Sequence, residues 1–167
     1  MDISFSQNYD DVACSALIIY DRQKKEVVYQ DFEFVKLDLP YVPGFLAFRE
    51  LPSLLQLFSK LKAAKPEYWP QVIFVDGNGI IHQNQCGLAC HLGIVLDVPT
   101  IGCGKTFFYV DGLEKEGIYK TCDENLFKPG DYVVLKGKSG RLWAAAIKSS
   151  STSNDPLFVS VGHRISL

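Results

Sequence analysis

The chain has 167 residues, 47% hydrophobic and 22% charged, with a formal net charge of −2. That length suits one domain with a single core, and the charge argues against a protein that coats nucleic acid by bulk attraction while still allowing a local basic cleft. Five cysteines make no paired secretory framework, no signal peptide precedes them, and no apolar run approaches the roughly 20 residues of a membrane span, which together point to a reducing compartment.

The first third reads as an antiparallel meander. Asp2 to Phe5, Cys14 to Tyr20 and Glu26 to Val35 are strand-like, with the charged stretch Asp21 to Lys25 as a solvated hairpin connection. A loop bearing Pro40 and Pro43 leads to a helix over Leu51 to Leu61. There Leu54, Leu57, Phe58 and Leu61 share one face, and Pro52 fits a first turn. Gln71 to Val75 is a buried strand, Cys86 to Leu96 a helix, and Thr100 to Cys103 a short strand. This βαβ alternation implies parallel strands. Val110 to Lys128 reads as irregular. Asp131 to Lys136 and Arg141 to Lys148 form a hairpin about Gly137 to Gly140, and Leu157 to Val161 is the last strand. A meander followed by βαβ is the order of a ribonuclease H-like α/β fold, a central mixed β-sheet with flanking helices, in a single domain over 1–167.

The chemistry concentrates in Val75-Asp76-Gly77-Asn78-Gly79-Ile80-Ile81-His82. A carboxylate at the end of a buried strand loses hydration and calls for a metal, a cation or a proton. Gly77 and Gly79 allow a sharp turn and the close approach of a ligand. The plainer alternative is a strand-end turn in which Asp76 binds nearby amides. His82, Cys86 and Cys90 recur at four-residue spacing, which on a helix stacks them on one face. A structural zinc needs a fourth ligand that is not evident, so the cysteines are expected as small packing residues on a close-packed helix.

Five ordered segments carry a resemblance. They are Asp2-Ile3-Ser4, the run from Pro40-Tyr41-Val42-Pro43-Gly44 to Glu50, the Asp76 run, Ile101-Gly102-Cys103-Gly104-Lys105, and Ser160-Val161-Gly162-His163-Arg164. Together the chain resembles endonuclease V over nearly its whole length, with the wording of Gly44 to Glu50 and of Gly162-His163-Arg164 similar to the animal branch.

The resemblance implies a metal-dependent endonuclease acting on inosine-containing nucleic acid. Single-stranded RNA is the expected substrate and DNA the second, with a cut at the second phosphodiester on the 3′ side of the inosine and 5′-phosphate ends. Asp2, Glu50 and Asp76 match the metal ligands, and Mg²⁺ is the expected ion with Mn²⁺ as its substitute. Clustered carboxylates suit such a hard cation, since they repel one another without it. Lys105 and His82 match catalytic positions. Tyr41, on a loop stiffened by prolines, matches a strand-separating wedge together with Pro43. Gly44, Leu46, Gly79, Gly87 and Leu88 match the pocket for the displaced hypoxanthine. Members usually carry an N-terminal segment before the Asp-Ile-Ser motif and a C-terminal helix, so the core domain is expected to be short at both ends. The alternative expectation is an inosine- or RNA-binding module of the same fold that cuts weakly or not at all. A monomer that is cytoplasmic, nuclear or nucleolar, not secreted and not membrane-bound completes the reading.

Overall fold

The computed structural model describes residues 1–9, 11–40, 42–153 and 155–167. Two compact units divide the chain, Met1–Ile73 and Phe74–Leu167.

The first unit is the meander with one long helix. Strands β1 (Asp2–Phe5), β2 (Val12–Asp21) and β3 (Glu26–Lys36) form a three-stranded antiparallel sheet in chain order. Ala13, Ser15 and Leu17 alternate inward along β2, each at most 2% exposed. Burial along β2 thus has the period of two of a strand with one face on a core. Helix α1 (Leu46–Ala64) packs on β2 and β3 through Leu54, Leu57, Phe58 and Leu61, all at most 1% exposed. It starts five residues before the expected Leu51, so Pro52 lies inside it. An interior proline removes one helical hydrogen bond at roughly 3 kcal/mol. Burial of the Leu54, Leu57, Phe58 and Leu61 side chains, about 1.5–3 kcal/mol each, outweighs that loss. A short 3₁₀ turn, Pro66–Tyr68, follows, and Trp69 packs edge-on against Phe58.

The second unit is built on a five-stranded sheet. Its order is β4 (Ile73–Asp76), β5 (Thr100–Gly104), β8 (Leu157–His163), β7 (Leu142–Ile147), β6 (Tyr132–Lys136). The pairs β5–β8, β8–β7 and β7–β6 are antiparallel, and β4 connects to β5 through helix α2 (Leu88–Leu96). Helix α3 (Lys115–Asn125) closes the apolar core of Ile81, Phe107, Ile118, Trp143 and Phe158.

Three expectations change. Among the described residues the strands form two sheets rather than one, and β4 is the end strand of its sheet rather than an interior one. With only four residues each, β1 and β4 offer few ladder bonds. The stretch read as irregular contains α3. Only Ile118 and Cys122 are buried on it, too few to show a clear periodicity in the sequence. Helix α2 begins at Leu88, so His82 and exposed Cys86 precede it rather than sharing its face, while the Cys86 thiol still stands beside Cys90.

Candidate active site

The second unit places Asp76 and Lys105 together. Asp76 ends β4, Lys105 follows β5, and the Lys105 Nζ lies 2.7 Å from Asp76 Oδ2. The carboxylate is 33% exposed and the lysine 77% exposed, so the pair sits at the surface end of adjacent strands. Solvent screening keeps such a pair from contributing much to stability. Its value is positional: a carboxylate and an ammonium are presented side by side at one strand end.

Backbone packing by glycine holds this strand end. The Gly77 amide donates to the Cys103 carbonyl at 3.2 Å, and the Gly79 amide donates to the Ser160 hydroxyl at 3.0 Å. The Gly87 amide donates to the Gly79 carbonyl at 3.0 Å, and the first turn of α2 is tied down when the Ala89 amide donates to the Asn78 carbonyl at 3.1 Å. No side chain caps α2; a backbone carbonyl does so. These approaches leave no room for a Cβ. On Gly79 it would fall onto the Val161 carbonyl, on Gly87 onto the Asn78 carbonyl, and on Gly102 onto the Gly79 amide. Gly77 adds a second reason, since its φ of 151° is rarely open to L side chains.

The remaining pocket and catalytic positions divide between the units. Leu88 opens α2, is 7% exposed, and lies against Gly77. His82 is 8% exposed and its ring packs at a tilt against Phe108, with centroids 5.8 Å apart. Its Nδ1 accepts from the Asn84 amide at 3.2 Å, which leaves the proton of the neutral ring on Nε2. Burial pushes the His82 pKa down, so the ring is neutral at pH 7 and presents a single N–H. Asp2 and Glu50 belong to the first unit. Asp2 opens β1 opposite Ala16, and Glu50 is 6% exposed in the second turn of α1. Pro43 and Gly44 form the turn before α1, with Gly44 at φ 82°, and Leu46 is the first helical residue. Tyr41 lies outside the described residues.

Two residues escaped the sequence reading. Asn78 Oδ1 is buried without a hydrogen-bond partner among the described residues, packed against Gly104. Ser160, 1% exposed, anchors the Gly79 amide across 81 positions of chain. The Gly-Asn-Gly sequence was the available signal for Asn78. Ser160 opens the last of the five family segments, but nothing in that segment shows which backbone group its hydroxyl holds.

Three of the cysteines are held as protonated thiols. Burial pushes the Cys90 thiol up to about 11 and raises Cys103 and Cys122 as well. Among the described residues no group of three or more His, Cys, Asp or Glu is placed to hold a metal ion. The donor chemistry of Asp76 nevertheless suits a hard divalent cation, for its partly exposed carboxylate already holds a cationic group at 2.7 Å. Among the described residues no helix is long and apolar enough to cross a membrane.

Comparison with known proteins assigns the family. The family model for endonuclease V matches residues 1–167. Mouse endonuclease V is 44% identical over the whole of this chain and 49% of its own length; the human protein is 43% identical over the whole chain and 59% of its length. This chain thus spans about half the length of the mouse relative. The catalytic domain of human endonuclease V superposes with a TM-score of 0.92 at 42% identity, covering 99% of this chain and 68% of that one. An endonuclease V of Ciona intestinalis, in complex with a 24mer DNA containing an inosine followed by a ribo-adenosine, gives 0.88 at 31% identity over 99% of this chain and 71% of that one. The fold is the mixed α/β, ribonuclease H-like fold of these structures. The chain belongs to the endonuclease V family.

Proposed function

We propose that this chain is a divalent-metal-dependent endonuclease for inosine-containing nucleic acid, with residues 1–167 acting as one catalytic domain. The observation that carries the reading is the Asp76–Lys105 pair, seated on a glycine-packed strand end in a chain matched throughout by the family. The Ciona relative bound to inosine-containing DNA supports the substrate class. Single-stranded RNA is the proposed preferred form, with the cut at the second phosphodiester 3′ to the inosine. The protein is proposed to act as a monomer in the cytoplasm or nucleus.

Asp76, Asp2 and Glu50 are the proposed metal ligands, with Mg²⁺ as the ion and Mn²⁺ as its substitute. A divalent cation held by carboxylates supplies Lewis acidity toward the phosphodiester and a water of lowered pKa. The protein's own groups do the rest. Asp76 fixes the Lys105 ammonium, which neutralises charge building on a phosphate oxygen. Neutral His82 donates one hydrogen bond from Nε2. Gly79 and Gly87 fix the course of the segment after β4 by backbone contacts that no side chain could share, and that segment is the proposed wall of the base pocket. Tyr41 and Pro43 are proposed to part the base from its neighbours, with Gly44, Leu46 and Leu88 shaping the receiving pocket.

The test is cleavage of single-stranded RNA carrying one inosine, against the same strand with adenosine, with product ends mapped. Mg²⁺-dependent, inosine-specific cutting that Asp76→Asn abolishes and Lys105→Ala slows is the expected result. Specific binding without cutting in either metal would identify a binding module instead. Equal cutting of both strands would overturn the substrate assignment.

A further inference from the structure

Apart from the glycine-packed strand end, the first unit carries a cleft of its own, with a volume of about 660 Å³. That lies within the roughly 300–1,000 Å³ typical of small-molecule sites. Its lining is mixed in a particular way. Leu37, 7% exposed, is the apolar floor, and Leu39 and Pro40 continue that surface. Phe5, 46% exposed, and Arg49 form a wall, with the guanidinium carbon 5.6 Å from the ring centroid. Ser6, Asp11 and Asp38 complete the lining, Asp11 paired with Lys36 at 3.2 Å and Asp38 exposed.

We infer that this cleft binds one nucleotide of the substrate strand beside the inosine, its base stacked on the Phe5–Arg49 wall. The inference rests on the endonuclease reading above and adds a second base-binding position to it. Three features support it. An aromatic ring and a guanidinium plane in contact make the surface on which bases stack in single-stranded recognition. The same guanidinium is the cation in the cleft wall and complements a phosphate. Asp38 offers an acceptor to the amino group of a base edge. The cleft also shares its supports with two proposed metal ligands. Phe5 ends the strand that Asp2 begins, and Arg49 directly precedes Glu50 on α1.

The test is equilibrium binding of the full chain to short single-stranded RNAs, followed by fluorescence anisotropy in Ca²⁺. One RNA carries a single inosine, a second has adenosine in its place, and a set makes each flanking position abasic in turn. Phe5→Ala should weaken binding of the inosine strand about tenfold. Phe5→Leu, which keeps an apolar side chain but no ring, should lose as much while keeping the wild-type melting temperature. One abasic position should cost the wild type a similar factor and cost Phe5→Ala nothing further, which identifies the base that stacks there. Two results would overturn the inference while leaving the endonuclease reading intact. One is an unchanged affinity of Phe5→Leu. The other is abasic losses that add to Phe5→Ala at every position. If the wild type does not prefer the inosine strand at all, the endonuclease reading fails and this one falls with it.

Discussion

The two units solve the same problem of positioning functional groups by different means. In the first, side chains do the work. α1 covers β2 and β3 with Leu54, Leu57, Phe58 and Leu61, and its early turns carry Arg49 and Glu50 as a consequence of that packing. In the second, the backbone does it. Gly79, Gly87 and Gly102 let the segment after β4 touch β5, β8 and the start of α2 directly, and Asp76 with Lys105 rides on that contact. A side-chain core can lose a methylene and relax, whereas a backbone-to-backbone contact has nothing soft to yield.

The contrast is broken most severely by Gly79→Ala. The added Cβ meets the Val161 carbonyl and, at 3.0 Å, the Ser160 hydroxyl. The expected loss exceeds about 3 kcal/mol, the upper end for overpacking, because backbone must shift. Hydrogen exchange should rise first in β5 and β8. Faster exchange in β2 and β3 instead would show that the units do not differ as described.

Phe58→Ala tests the other side. Phe58 on α1 is 1% exposed and meets the Trp69 ring edge-on. Its truncation should cost about 3–5 kcal/mol in a denaturant melt, with exchange rising in β2, β3 and α1. Phe58→Leu should recover much of that, since a side-chain core tolerates a change of shape; no residue recovers Gly79. Equal loss for both Phe58 variants would count against the distinction.

His82 gives a pH-dependent sharpening. Its folded pKa is held below the ordinary value of 6.5 by burial, so the unfolded chain takes up the proton first as pH falls. Its contribution is fully present above about pH 6.5 and is lost as pH falls toward the folded value. Melting temperature should therefore drop between pH 7.5 and 5.5, and His82→Gln should flatten that part of the curve. An unchanged slope in the variant would assign the pH response to other groups.

The smallest expected effect comes from a glycine with room. Gly117 on α3 has nothing within 4 Å of a built Cβ. Gly117→Ala should therefore stabilise by about 0.5–1 kcal/mol through helix propensity and reduced chain entropy. The opposite signs at Gly79 and Gly117 separate glycine needed for contact from glycine merely present.

By itself the sequence determined the meander, the long helix, the strand ending in Asp76, the hairpin about residues 137–140, and the family. Each is announced locally, by alternation, by a 3.6-residue stripe, by turn residues or by ordered motifs. Only tertiary structure decided that α1 runs through Pro52, that residues 115–125 are helical, that α2 starts only at Leu88, and that Lys105 meets Asp76. The physical reason is shared. Each depends on a partner far along the chain: the β2–β3 face beneath Pro52, the core around Phe158 beneath Ile118, Asn78 at the start of α2, and β5 beside β4. A proline's cost or a weak periodicity is a local quantity of a few kcal/mol, and burial against a distant surface outweighs it. Ser160 shows the limit most plainly. Its hydroxyl holds the Gly79 amide from 81 residues away, and no local pattern marks it for that task.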